Sequence, residues 1–131
     1  MKASPQKLRV VLAEDSSLTQ QHVREIISTV SVPTEVCSVD THKSAISACK
    51  DFKPHVVILD LQLRKGTGFA VLGEFKNQSP RPMFIVMTNH ALSNYRNHAF
   101  LSGADLFLDK ATDFDALKGL LESVASANGL N

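Results

Sequence analysis

The sequence predicts an α/β domain, a doubly wound five-stranded parallel sheet with five helices. Three observations predict it. Short apolar runs such as Leu8-Arg9-Val10-Val11-Leu12-Ala13 and Val56-Val57-Ile58-Leu59 show little polar alternation, the pattern of strands buried on both faces. The stretches between such runs carry apolar residues at helical spacing. Pro33, Pro54, Gly66 and Gly103 punctuate the alternation at the joints. Strand followed by helix, repeated, requires crossover connections and hence a parallel sheet covered on both sides.

Each element follows from its own residues. The first strand ends in Glu14-Asp15. Ser16 and Ser17 are capping candidates for a first helix, in which Leu18, Val23, Ile26, Ile27 and Val30 share the apolar spacing. Pro33 breaks that pattern, and Thr34 to Val39 suits a strand. Thr41 caps a second helix with Ala45, Ile46, Ala48, Cys49 and Phe52 inward, and Pro54 ends it. The third strand runs into Asp60. Gly66-Thr67-Gly68 reads as a turn, followed by a short helix face of Phe69, Val71, Leu72 and Phe75. Pro80 and Pro82 bracket a loop before the fourth strand, Met83 to Met87. Ser93 to Leu101 forms the fourth helix. Ser93-Asn94-Tyr95-Arg96-Asn97-His98 is poor in strong helix formers, so this helix is expected to be the least stable element. The fifth strand is Ala104 to Leu108. Thr112 with Asp115 resembles a capping box for the last helix, lined by Phe114, Leu117, Leu120, Leu121 and Val124.

Composition limits the function classes. A chain of 131 residues with 44% hydrophobic residues fits one domain with a single core, expected to span 1–131 with its core at about 7–127. The net charge of +1 offers no electrostatic footprint for nucleic acid or for an anionic membrane. The apolar runs are a few residues long, against roughly 20 needed to span a bilayer. The polar start, Met1 to Gln6, lacks the apolar stretch of a signal peptide, which points to the cytoplasm. Met1 and the polar tail ending at Asn131 support the expectation of a complete chain, with a piece cut from a longer protein as the alternative. Cys37 and Cys49 lack metal-type spacing and read as reduced, mostly buried thiols.

The chemistry gathers at the strand ends. In an open α/β sheet, ligands bind outside the carboxyl ends of the strands, so Glu14, Asp15 and Asp60 are expected to share one small pocket. Like charges at about 4 Å repel by roughly 4 kcal/mol at an effective dielectric near 20. Such a cluster needs a counter-charge, and a hard divalent cation such as Mg²⁺ supplies it. Two further groups fall at strand ends: Thr88 closes the fourth strand and Lys110 closes the fifth.

An acid pair, a lone Asp, a hydroxyl and an ammonium, each at the end of a different strand, resemble the receiver domain of two-component response regulators, of the stand-alone CheY-like kind. The matching stretches are Val10-Val11-Leu12-Ala13-Glu14-Asp15, Val57-Ile58-Leu59-Asp60-Leu61-Gln62-Leu63, Ile85-Val86-Met87-Thr88 and Gly103-Ala104-Asp105-Leu106-Phe107-Leu108-Asp109-Lys110. The resemblance covers essentially the whole chain. It implies a flavodoxin-like strand order of 2-1-3-4-5. It implies that Asp60 accepts a phosphoryl group from a histidine kinase or a histidine phosphotransfer domain. Glu14, Asp15, Asp60 and the backbone carbonyl of Gln62 would hold Mg²⁺ or Mn²⁺. Lys110 would neutralise phosphoryl charge, and Thr88 would turn its hydroxyl toward the phosphoryl oxygen. Phe107 matches an aromatic switch position, swinging inward when Thr88 moves; a plain core phenylalanine is the alternative. Output would be contact with another protein through the fourth helix, fifth strand and fifth helix, including Tyr95 and Phe107. Gln62, Asn89 and His90 occupy positions that tune dephosphorylation.

The chain departs from the family pattern at three places. Ala111 stands where Pro with a cis bond is common after the Lys, and a trans bond is expected because cis before a non-proline costs about 2.5–4 kcal/mol. Asn89 is larger than the usual small residue after the Thr. Arg64 stands where Pro is often found, followed by Lys65; these cations either attract an acidic partner or are simply solvated. Other classes compete less well. A phosphorylation-independent binding module does not require all five site residues. An aspartate-nucleophile phosphatase of the haloacid dehalogenase type needs a second Asp where Gln62 stands. A flavin binder needs a phosphate loop where Glu14-Asp15 would repel it, and no P-loop is present. The chain is therefore expected to be a signalling domain, an enzyme only toward itself.

Overall fold

The computed structural model describes residues 6–89 and 92–130. Strands and helices alternate without exception: β1 (Leu8–Ala13), α1 (Ser17–Ser28), β2 (Thr34–Val39), α2 (His42–Phe52), β3 (Val56–Leu59), α3 (Gly68–Phe75), β4 (Met83–Thr88), α4 (Ser93–Leu101), β5 (Leu106–Asp109) and α5 (Phe114–Ala127). All neighbouring strands are parallel, in the order β2-β1-β3-β4-β5. This is the expected doubly wound sheet, a flavodoxin/CheY-like fold.

The two-residue period of the strands sorts the core into two layers. Val10, Leu12, Ile58, Ile85 and Met87 face α1 and α5, meeting Val23, Ile27, Leu117 and Leu121. Val11, Ala13, Val57, Leu59, Phe84 and Val86 face the other way, onto Ala45 and Cys49 of α2, Val71, Leu72 and Phe75 of α3, and Ala99 of α4. Strands apolar on both faces need this double cover. β2, at the edge, is only half-buried.

Caps fix where the helices begin. The Ser16 hydroxyl accepts the Thr19 N–H. Thr41 and Ser44 form a reciprocal capping box. Thr67, which the sequence places in the middle of a turn, is the N-cap of α3, so Gly68 is that helix's first residue. Three expectations are corrected. Leu18 is 77% exposed: at 100° per residue it lies about 140° from Val23 around the helix, off the buried stripe. β5 starts at Leu106 rather than Ala104, because its first sheet partner is Ile85. The capping box at Thr112 and Asp115 does not form; the N-cap of α5 is Asp113, whose carboxylate instead accepts the Asp109 N–H at 2.8 Å. Among the described residues the cis peptide bond is Ser79–Pro80, so the Lys110–Ala111 bond is trans, as expected.

Candidate functional site

Register places the site. Ala13 is level with Leu59, and the Asp60 N–H donates to the Ala13 carbonyl at 3.0 Å. Glu14 and Asp60 therefore leave the sheet side by side. Thr88 is level with Asp109, and the Lys110 N–H donates to the Thr88 carbonyl at 3.0 Å. The ladder that builds the core thus delivers Glu14, Asp60, Thr88 and Lys110 to one edge, and all four are buried. This edge includes the crevice between β1 and β3, the switch point of such a sheet.

Lys110 ties the carboxylates together. Its Nζ donates to Glu14 Oε2 at 2.5 Å and to Asp60 Oδ2 at 2.8 Å. All three side chains are less than a tenth exposed. Asp15 is exposed, yet it offers a carboxylate oxygen within 4.8 Å of those of Glu14 and Asp60. Three carboxylates, two buried and one exposed, against one ammonium leave a formal surplus of two negative charges. Hard oxygen donors with that surplus fit one divalent cation. The Glu14 side chain is also oriented by the Ser16 N–H, donated to Oε1 at 3.0 Å. The Gln62 N–H donates to Asp60 Oδ1 at 3.3 Å.

The electrostatics follow from burial and pairing. Burial pushes Glu14 up to about 7, Asp60's charge adds to the rise, and the Lys110 hydrogen bond opposes it. For Lys110, burial works against the ammonium, but hydrogen bonds to Asp60 and Glu14 outweigh it and its pKa lies above the ordinary lysine value. The pocket thus holds a charged Lys110 across the neutral range and has a stake in any further cation.

The remaining candidates differ in exposure. Gln62 and Asn89 are exposed beside the pocket. His90 lies outside the described residues. Phe107 is 8% exposed, its ring already inward and 6.4 Å from that of Phe100. Tyr95 lies on α4, 37% exposed.

Two features escaped the sequence reading. A Cβ on Gly68 would meet the Asp60 carbonyl oxygen at 2.4 Å, so glycine there lets the start of α3 close onto the site. Arg64 is neither free nor aimed at the acidic pocket: it pairs with Asp40 at 2.9 and 3.3 Å. The first had a signal, a glycine just after a cap residue. The second had none, because its partner lies 24 residues away.

Known proteins resemble this chain in sequence and fold. A family model of the response regulator receiver domain matches residues 10–122. Transcriptional regulatory protein DegU of Brevibacillus brevis is 24% identical over 119 residues, 91% of this chain and 50% of that protein. Regulatory protein LuxO of Vibrio cholerae is 28% identical over 107 residues, 82% of this chain and 23% of that protein. The chain therefore spans half or less of these curated relatives. The crystal structure of the signal receiver domain of a Luxo repressor protein from Vibrio parahaemolyticus superposes with a TM-score of 0.81 at 27% identity, covering 95% of this chain and 97% of that one. Among the described residues, no helix is long and apolar enough to cross a membrane. A match running from within β1 to within α5 leaves one assignment: the chain belongs to the response regulator receiver domain family of two-component systems.

Proposed function

We propose that this receiver domain is switched by phosphorylation of Asp60 and signals through contact with another protein. The observation that carries the reading is the buried triangle of Glu14, Asp60 and Lys110, with Asp15 at its rim. Glu14, Asp15, Asp60 and the Gln62 carbonyl are the groups suited to hold Mg²⁺ or Mn²⁺, which would neutralise charge on the transferring oxygens.

The chain's own residues do the rest. An Asp60 carboxylate oxygen attacks the phosphorus of a phosphohistidine on a kinase or phosphotransfer domain. The new O–P bond forms as the P–N bond breaks, and the leaving imidazole takes up a proton. Lys110, already 2.8 Å from Asp60, turns from carboxylate to phosphoryl oxygen and holds its charge. Thr88, buried at the end of β4, supplies a hydroxyl on the same edge. Such reactions depend mainly on positioning and charge neutralisation. A phosphoryl group adds about −1.5 to −2 charge, and that change biases the loop after Thr88, α4 and β5, with Phe107 and Tyr95 on the responding surface. Gln62, Asn89 and His90 are placed in sequence to tune the lifetime.

Intact-mass spectrometry tests this after incubation with Mg²⁺ and acetyl phosphate. One added phosphoryl group is expected on the wild type and none on Asp60→Asn. An unmodified wild type would replace the switch with a phosphorylation-independent binding module.

A further inference from the structure

The loop that leaves Asp60 is pinned to a neighbour. Residues 61–67 fold back so that the Gly68 N–H donates to the Leu61 carbonyl at 2.9 Å, and Gln62 bridges to Thr67. Leu61 and Leu63 are buried beneath it. The outer side is stitched to the segment between β2 and α2. The Arg64 N–H donates to the Asp40 carbonyl at 2.8 Å, and the His42 N–H donates to the Lys65 carbonyl at 3.0 Å. The Arg64 guanidinium forks onto both oxygens of Asp40. Gly66, at φ +82°, lies so close to His42 that a Cβ would sit 2.0 Å from its Nδ1.

We propose that Asp40, His42 and Arg64 form a clasp that positions the Gln62 carbonyl beside Asp60, and that the clasp sets the affinity of the acidic pocket for a divalent cation. This inference rests on the metal-binding role proposed above. The closing bonds, buried leucines and clasp hold the stretch in which the Gln62 N–H donates to Asp60 Oδ1 at 3.3 Å. An Arg–carboxylate fork is the strongest geometry an exposed pair adopts, and it acts here on a backbone segment two residues from Gln62. These are positioning residues, acting through the loop.

Charge alone makes a different forecast, which gives the test its force. As a simple field, removing the Arg64 cation would tighten cation binding, and removing the Asp40 anion would weaken it. The clasp requires both removals to weaken it. Mg²⁺ alone is titrated into the wild type, Arg64→Ala, Asp40→Ala, Gly66→Ala and the exchanged pair Asp40→Arg with Arg64→Asp, followed by the amide resonances of Asp15, Asp60 and Gln62. Thermal melts of the same samples confirm folding. Arg64→Ala and Asp40→Ala are each expected to weaken binding by up to about fivefold, the upper end for an exposed pair, and Gly66→Ala to weaken it in the same direction, with faster hydrogen exchange at the Arg64 and His42 amides. The exchanged pair restores both, and high salt narrows the gap between wild type and Arg64→Ala. Opposite signs for Arg64→Ala and Asp40→Ala, or unchanged affinities, would overturn the clasp alone. A wild type that shows no saturable Mg²⁺ response would overturn the metal site and the clasp with it.

Discussion

β5 lies between two helices that could hardly be held more differently. α5 spans 14 residues and buries Leu117, Leu121, Val124 and Ala125. α4 spans nine and buries only Ala99; neither helix has a side-chain cap at its start. Leu92 and Leu101 at its ends are 66% and 73% exposed. Burying one large apolar side chain contributes about 1.5–3 kcal/mol; α5 has three such groups and α4 none. Ring contacts help fasten α4: the His98 ring stacks on Phe69 at 4.1 Å, and Phe100 lies beside Phe107. α5 packs Leu117 and Leu121 into one buried layer with Leu108 of β5, while α4 meets β5 through Phe100 and Phe107 and adds only Ala99 to the core. Elements that respond to a signal are drawn from the weakly held end of a fold, and the weakly held helix here flanks the strand that delivers Lys110.

The sharpest way to break this contrast is to truncate one leucine on each helix. Leu121→Ala removes a fully buried side chain and is expected to cost about 2–5 kcal/mol in urea unfolding. Leu101→Ala on α4 should stay within about 0.5 kcal/mol. Comparable losses would mean that α4 is anchored as firmly as α5.

A subtler variant sharpens it. Leu92 is the N-cap of α4, with an extended backbone and no side-chain bond to the helix. Leu92→Ser places a hydroxyl where it accepts a first-turn N–H, worth about 1 kcal/mol. Hydrogen exchange should slow across α4 and leave α5 unchanged. Slower exchange in both helices would show that they open together, and the contrast would dissolve.

The firm half of the molecule was the legible half. Val56-Val57-Ile58-Leu59 could be little other than a buried strand, and the Asp after it had to leave the sheet at the carboxyl edge. Glu14, Asp15 and Asp60 meet because that edge is one place. The thinness of α4 was legible too, in its want of good helix formers. Misreadings arose where a local pattern competed with a partner elsewhere. Leu18 has the right residue type on the wrong side of its helix. Thr112 has a cap's chemistry, but Asp113 was drawn into the turn by the Asp109 N–H. Arg64 looked solvated because Asp40 belongs to another loop. Contacts made across the fold leave no trace in spacing.

The smallest effect comes from the opposite end of the sheet and tests whether acid sensitivity belongs to the anchored half. His55 Nδ1 accepts the Arg9 N–H at 2.9 Å, and the His55 N–H donates to the Arg9 carbonyl at 2.9 Å, so the pair extends the β1–β3 ladder by one rung. An accepting Nδ1 requires a neutral ring, and protonation sets two N–H groups face to face. Burial first, and the nearby Arg9 charge second, hold the ring's pKa below 6.5. A depressed folded value means that the contribution is complete above 6.5 and is lost as pH falls from 6.5 through the lower folded value. Below that it stays lost. His55→Asn keeps an acceptor but cannot titrate, so the difference between the two urea midpoints should change between about pH 7.5 and about pH 5.5, by less than either effect above. Exchange at α4 should not follow it, because the rung lies at the far end of β1 and β3 and α4 adds only Ala99 to their buried layer. If α4 loosens as His55 protonates, the two halves share one cooperative unit, and the weak helix is governed by the sheet rather than by its own sparse contacts.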